Sequence, residues 1–136
     1  MDLVVDANVL FAALIRNNKT AELLFKDKLH LFAPEYLLDE FVEHKEEIVQ
    51  KSDRPSEEFY KFLDILKKRI TFCPYDDFKH YMERASEITP DPDDEEYIAL
   101  AFSIKADIWS NDKSLKKIKV VDVYSTVDLV NILNES

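Results

Sequence analysis

Leu3, Val4 and Val5 form an unbroken apolar run with no polar residue alternating between them, the pattern of a strand buried on both faces of a parallel sheet. Such a strand commits the chain to helices on either side of it. The run ends on Asp6. Asn8 then offers a helix N-cap, and residues 9–15 follow as a mostly buried helix. Asp6 is therefore expected at the carboxyl end of the first strand, the edge at which open α/β sheets bind ligands. The function turns on whether other acids reach that edge.

The rest of the chain alternates strand-like and helix-like periods. Asn17, Asn18 and Thr20 mark a restart, and Ala21, Leu23, Leu24 and Phe25 carry a short helix. Residues 29–33 read as a second strand, with Pro34 in the permitted first turn of a helix running to about residue 50. On that helix Glu40 falls roughly 60° beyond Leu37, at the edge of the apolar arc. A polar break at residues 52–55 precedes a helix carrying Phe59, Phe62, Leu63, Leu66 and Ile70. Residues 70–73 read as a strand, residues 77–88 as a helix, and Thr89-Pro90-Asp91-Pro92 as a stop. Asp93-Asp94-Glu95-Glu96 opens a helix whose body, residues 97–104, is almost wholly apolar. A strand at 106–110, a turn or short helix at 113–117 and a strand at 119–124 follow. Ser125 with Asp128 starts the final helix in the manner of a capping box. The pattern is that of a three-layer α/β/α fold around a central, mostly parallel sheet of about five strands, one domain over residues 1–136.

Composition excludes several functions. The 136 residues contain no glycine, so no P-loop, GxGxxG turn or GxSxG elbow can form. The single cysteine, Cys73, forms no intrachain disulfide and reads as a core filler; with no apolar run near the length of a membrane span and no signal-peptide pattern, a cytoplasmic protein is expected. A net charge of -10 argues against coating nucleic acid by bulk electrostatics. It leaves room for a carboxylate pocket in which a metal supplies the attraction for phosphate. Asp91, Asp93 and Glu95 imitate the opening of an EF-hand, but Glu96 stands where the loop needs glycine and Phe102 where it needs glutamate. His30, His44 and His80 are scattered and form no HExxH.

Four acids occupy positions that this topology brings together. Asp6 ends the first strand, Glu40 lies on the helix after the second, Asp94 opens the buried helix and Asp112 follows the strand after it. Neighbouring first and fourth strands would set Asp6 beside Asp112. Clustered carboxylates raise one another's pKa, and a hard divalent cation such as Mg²⁺ or Mn²⁺ relieves the repulsion. Such an ion suits phosphodiester hydrolysis. Each acid also has a plain structural reading. Asp94, with Asp93, Glu95 and Glu96, sits in a first helical turn where acids favour the macrodipole, and Asp112, Asn8 and Ser110 could be caps.

Val4-Val5-Asp6-Ala7-Asn8-Val9-Leu10, Leu37-Leu38-Asp39-Glu40-Phe41, Asp91-Pro92-Asp93-Asp94-Glu95-Glu96-Tyr97-Ile98-Ala99-Leu100-Ala101 and Ser110-Asn111-Asp112-Lys113-Ser114-Leu115, in this order and spacing, resemble the PIN domain family over essentially the whole chain. The resemblance implies a metal-dependent ribonuclease fold, often homodimeric, similar to the VapC toxins of toxin-antitoxin pairs. Carried over by position, it makes Asp6, Glu40, Asp94 and Asp112 the acidic quartet, with Asn8 and Ser110 as polar supports. Asp6, Asp94 and Asp112 would be direct metal ligands, Asp93 the substitute for Asp94, and Glu40 would act through water or a second ion. Lys113, Lys116, Lys117 and Arg16 are candidates for positioning RNA phosphates. The implied partners are an RNA substrate and a small antitoxin covering the cleft. An RNA-processing nuclease outside a toxin-antitoxin pair, a non-catalytic binding module and a receiver-like phosphoacceptor domain are the competing readings. The last lacks an acid at the end of the third strand, where Pro74 follows Cys73.

Overall fold

The computed structural model describes residues 1–15, 19–53 and 55–134. Five strands form one sheet, β1 (Asp2–Val5), β2 (His30–Pro34), β3 (Ile70–Cys73), β4 (Asp107–Trp109) and β5 (Val123–Tyr124), in the order β3-β2-β1-β4-β5. All four pairings are parallel. The helices among the described residues are α1 (Ala7–Ile15), α2 (Lys19–Leu24), α3 (Tyr36–Glu43), α4 (Lys45–Ser52), α5 (Ser56–Arg69), α6 (Met82–Ile88), α7 (Glu95–Ile104), α8 (Lys113–Lys116) and α9 (Thr126–Asn134). None of them is long and apolar enough to cross a membrane. The expected parallel α/β/α architecture is what the chain adopts.

The sheet runs from β1 outward through β2 to β3, then returns across β1 to place β4 and β5 on its other side. Right-handed crossovers put the helices of the two halves on opposite faces. The strand order reverses between β1 and β4, and the crevice above the carboxyl ends of these two strands is where such a fold takes a ligand. Leu3, Val4 and Val5 are fully buried there, as their uninterrupted hydrophobicity required. Ile98, Ala99 and Leu100 of α7 are equally buried, and α7 packs against β1, β2 and β4.

The structure departs from the expected elements in several places. The helix expected from residue 34 to about 50 is two helices meeting at His44, whose φ of -96° and ψ of 13° interrupt the first. Residues 42–47 contribute no buried side chain, so the core does not hold one axis through them. Pro34 is the last residue of β2 rather than the first of a helix, a strand-end position that asks little of its missing N–H. Residues 77–88 begin with short 3₁₀ turns at Tyr75–Asp77 and Lys79–Tyr81, separated by the fully buried Phe78. The last strand keeps only Val123 and Tyr124, and Val120 is half exposed. The capping box is complete, with the Asp128 N–H donating to Ser125 Oγ at 3.1 Å and the Ser125 N–H to Asp128 Oδ2 at 3.0 Å.

A chain without glycine closes its helices at a conformational cost. At the end of α7, Lys105 adopts φ 55°, ψ 43°, its N–H bonds to Phe102 O at 3.3 Å and the Ala106 N–H to Ala101 O at 3.0 Å. This is a Schellman ending with lysine in the left-handed position that glycine occupies without strain. Lys105→Gly should therefore raise the stability by about 1 kcal/mol, read as a higher denaturation midpoint at unchanged m-value. An equal or lower midpoint would show that the lysine is not strained there.

Candidate active site

The side chain of Asp6 caps α1. Its Oδ1 accepts the Val9 N–H at 2.9 Å while its carbonyl takes the Leu10 N–H at 3.4 Å. The cap expected at Asn8 is thus two residues earlier, at Asp6, because the helix opens at Ala7 directly after the strand. Asn8 is exposed at the pocket rim and faces the Asp6 carboxylate with its backbone N–H. The other carboxylate oxygen, Oδ2, accepts the hydroxyl of Ser110, which is itself buried one residue beyond β4. The Ser110 oxygen in turn accepts the Asp112 N–H at 3.0 Å. One serine therefore fastens the ends of β1 and β4 and sets the backbone from which Asp112 projects.

Asp112 caps α8, its Oδ1 accepting the Ser114 N–H at 2.8 Å, and it lines the same pocket as Asp6. Asp94 reaches this pocket at the junction of a 3₁₀ turn, Pro92–Asp94, with α7. Its side chain caps nothing, whereas Asp91 accepts the Asp93 N–H at 3.0 Å. Glu40 arrives from α3. The pocket, about 490 Å³, is lined by Asp6, Glu40, Asp91, Asp93, Asp94, Glu96 and Asp112, with no lysine, arginine or histidine among the described residues that line it.

These charges are felt. Burial raises the Asp6 carboxyl above its usual range, and Asp112 adds repulsion, against the lowering donors Ser110, Val9 and Asn8. Burial, then Asp112, Asp91, Asp6 and Asp93, push Asp94 up from 3.8 to about 6. Asp93 is exposed, and Asp94 is the member of that acidic run whose environment couples to both Asp6 and Asp112. No three acids, histidines or cysteines among the described residues stand close enough to enclose a metal ion together. The donor chemistry still fits a hard divalent cation. Mg²⁺ keeps several waters and takes one or two carboxylates, so a closed protein cage is not required.

Two residues that the sequence reading passed over complete the wall. Tyr36 and Tyr97 meet at 3.2 Å, the Tyr36 hydroxyl donating to that of Tyr97, which also accepts the Ala7 N–H at 3.1 Å. Burial and the nearby carboxylates of Glu96, Glu40 and Asp94 hold Tyr36 up at about 12; burial raises Tyr97 further. The signal was present, since Tyr36 lies four residues before Glu40 and Tyr97 three after Asp94, each pair sharing a helix face. Glu96 and Asp91 were likewise missed as lining residues. Of the basic candidates, Lys113 and Lys117 are exposed on and just beyond α8, while Lys116 pairs with Asp128 and lines a groove along β5 instead. Arg16 lies outside the described residues.

A family model described as PIN domain matches residues 4–126. The chain belongs to the PIN domain family. No curated protein matches this PIN-domain chain in sequence. Among solved structures it is similar to a chain of VapBC2 from Rickettsia felis, crystallised bound to a DNA fragment from their promoter, with a TM-score of 0.62 and 17% identity over 92% of this chain and 98% of that one. At that identity the likeness shows a shared fold.

The raised carboxyls give the metal-free protein a pH dependence with a definite sign. A native state that holds protons the unfolded chain has released loses stability as pH rises through this window, from 3.8 toward about 6. Thermal melts in chelator should show stability falling over that range. Asp94→Asn should flatten the fall and raise the melting temperature at pH 7; a variant that tracks the wild type at every pH would show that Asp94 carries no such strain.

Proposed function

We propose that this PIN-domain protein is a Mg²⁺- or Mn²⁺-dependent endoribonuclease that hydrolyses RNA phosphodiester bonds, and that it is the toxin of a VapBC-type pair. The observation that carries this reading is the arrival of Asp6, Glu40, Asp94 and Asp112, from four separate segments, in one pocket at the strand-order reversal, with no cationic side chain among the described residues that line it. Two of these carboxyls, Asp6 and Asp94, are raised by burial and by neighbouring acids, and perturbed carboxyls of this kind mark functional sites.

Asp6, Asp94 and Asp112 would hold the cation. When bound, it supplies charge neutralisation at the phosphoryl oxygens and acidifies water. The chain's own residues do the rest. Ser110 and the Val9 N–H fix both Asp6 oxygens, so that this carboxylate cannot rotate away from the pocket. Glu40 is the acid delivered by a different helix and is the candidate to take a proton from attacking water. Exposed Lys113 and Lys117 can contact phosphates farther along an RNA strand. PIN-domain proteins are generally nucleases, and the similar Rickettsia chain belongs to a VapBC2 complex, which supports a small protein antitoxin as partner. A cationic side chain, arginine above all, is the chemistry that would plug so acidic a cleft.

RNA cleavage should require Mg²⁺ or Mn²⁺ and stop in chelator. Asp6→Asn and Asp112→Asn each keep an oxygen for the helix cap, so they should fold while losing cleavage by at least about a hundredfold. Cleavage that survives both substitutions, or that ignores chelator, would contradict the assignment.

A further inference from the structure

The acidic pocket has one wall that the proposed chemistry leaves unused. Tyr36 from the first turn of α3 and Tyr97 from the first turn of α7 meet there oxygen to oxygen. A phenol carries one proton and two lone pairs. The pair therefore holds two protons and uses one between its own oxygens. One proton is left over.

Both hydroxyls rotate about their C–O bonds, so the same heavy-atom positions permit two arrangements. With Tyr36 donating inward, the spare proton is on Tyr97, which is buried. With both protons turned, the Ala7 N–H donates to Tyr97, Tyr97 donates to Tyr36, and the half-buried Tyr36 presents its proton to the open pocket. In this second arrangement each hydroxyl accepts one bond and donates one, and each polarises the next.

The pocket offers that proton only acceptors. Seven carboxylates line it, and the other neutral side-chain donor lining it is Asn8 at the rim. A phosphodiester brings two more negative oxygens into this field, and a cation can meet only part of them. We propose that the Tyr36–Tyr97 hydroxyl pair is the pocket's hydrogen-bond donor to a non-bridging oxygen of the substrate phosphodiester, Tyr36 making the contact and Tyr97 orienting it. The identity of the ligand rests on the nuclease reading, but the contact does not require turnover. Because Tyr36 is held up at about 12, it stays a donor throughout the neutral range.

Tyr36→Phe removes a single oxygen and keeps the ring. The deciding experiment measures binding of a short labelled single-stranded oligoribonucleotide by fluorescence anisotropy, with Ca²⁺ in place of the catalytic ion, alongside Mn²⁺ titration and thermal melting of the same variant. A hydrogen bond to a charged oxygen predicts an oligonucleotide Kd weakened about ten- to a hundredfold, with the Mn²⁺ Kd at its wild-type value and the melting temperature lowered by no more than about 5 °C, the size of one lost hydrogen bond to Tyr97. An unchanged oligonucleotide Kd overturns the inference. So does a matching loss of Mn²⁺ affinity or a larger fall in melting temperature, which would assign the hydroxyl to the metal shell or to the scaffold. A wild type that binds RNA yet cleaves none under Mg²⁺ or Mn²⁺ removes the proposed function alone, while a wild type that binds no oligoribonucleotide removes both.

Discussion

A carboxylate buried at the reversal of strand order, Asp6, is the feature around which this molecule is arranged. Burying a charged oxygen is costly unless each of its lone pairs finds a donor. Here the donors are the first turn of α1 and the hydroxyl of Ser110, so the same bonds that make the acid tolerable also join β1 to α1 and β1 to β4. The Asp6 N–H completes the join by donating to Trp109 O at 3.3 Å. Fold and site are one construction at this point. Ser110 serves both, because its oxygen positions the backbone of Asp112 while its proton satisfies Asp6.

Donors alone leave the arrangement incomplete. Asp94 and Asp112 enter the same pocket from segments that could have directed other residues there, and burial first, then repulsion among the acids, raises the carboxyls of Asp6 and Asp94. Natural chains tolerate local strain of this kind where function requires it. Several acids elsewhere are paired or capping: Asp128 bonds Ser125 and Lys116, Asp2 bonds His30, and Glu47 bonds Lys51. The pocket gathers seven acids with no cationic side chain among the described residues that line it.

Much of this was legible in the residues. The unalternating Leu3-Val4-Val5 run read as a doubly covered strand, and the Ser125/Asp128 pair marked the start of the last helix, because each rests on local chemistry. What stayed hidden depended on distant partners. Asp6 and Asn8 are both good caps, and only the point at which the strand passes into the helix decides between them. The break at His44 falls in a stretch, residues 42–47, with no buried side chain, which periodicity over Leu37, Phe41 and Ile48 does not reveal. Tyr97 looked like the first residue of a buried helix, which it is; that its hydroxyl meets Tyr36 depends on where α3 lies. Asp6, Glu40, Asp94 and Asp112 were legible as neighbours from the strand and helix order and from their family order together, and they line one pocket; none was distinctive alone.

The most direct test of the account is a crystal of the wild-type protein soaked in Mn²⁺, with data collected at the manganese absorption edge. A single or paired anomalous peak is expected within coordination reach of Asp6 and Asp112, with Asp94 turned toward it and water filling the remaining positions. A pocket without anomalous density at saturating Mn²⁺, its acids unmoved or paired with cationic side chains, would contradict it.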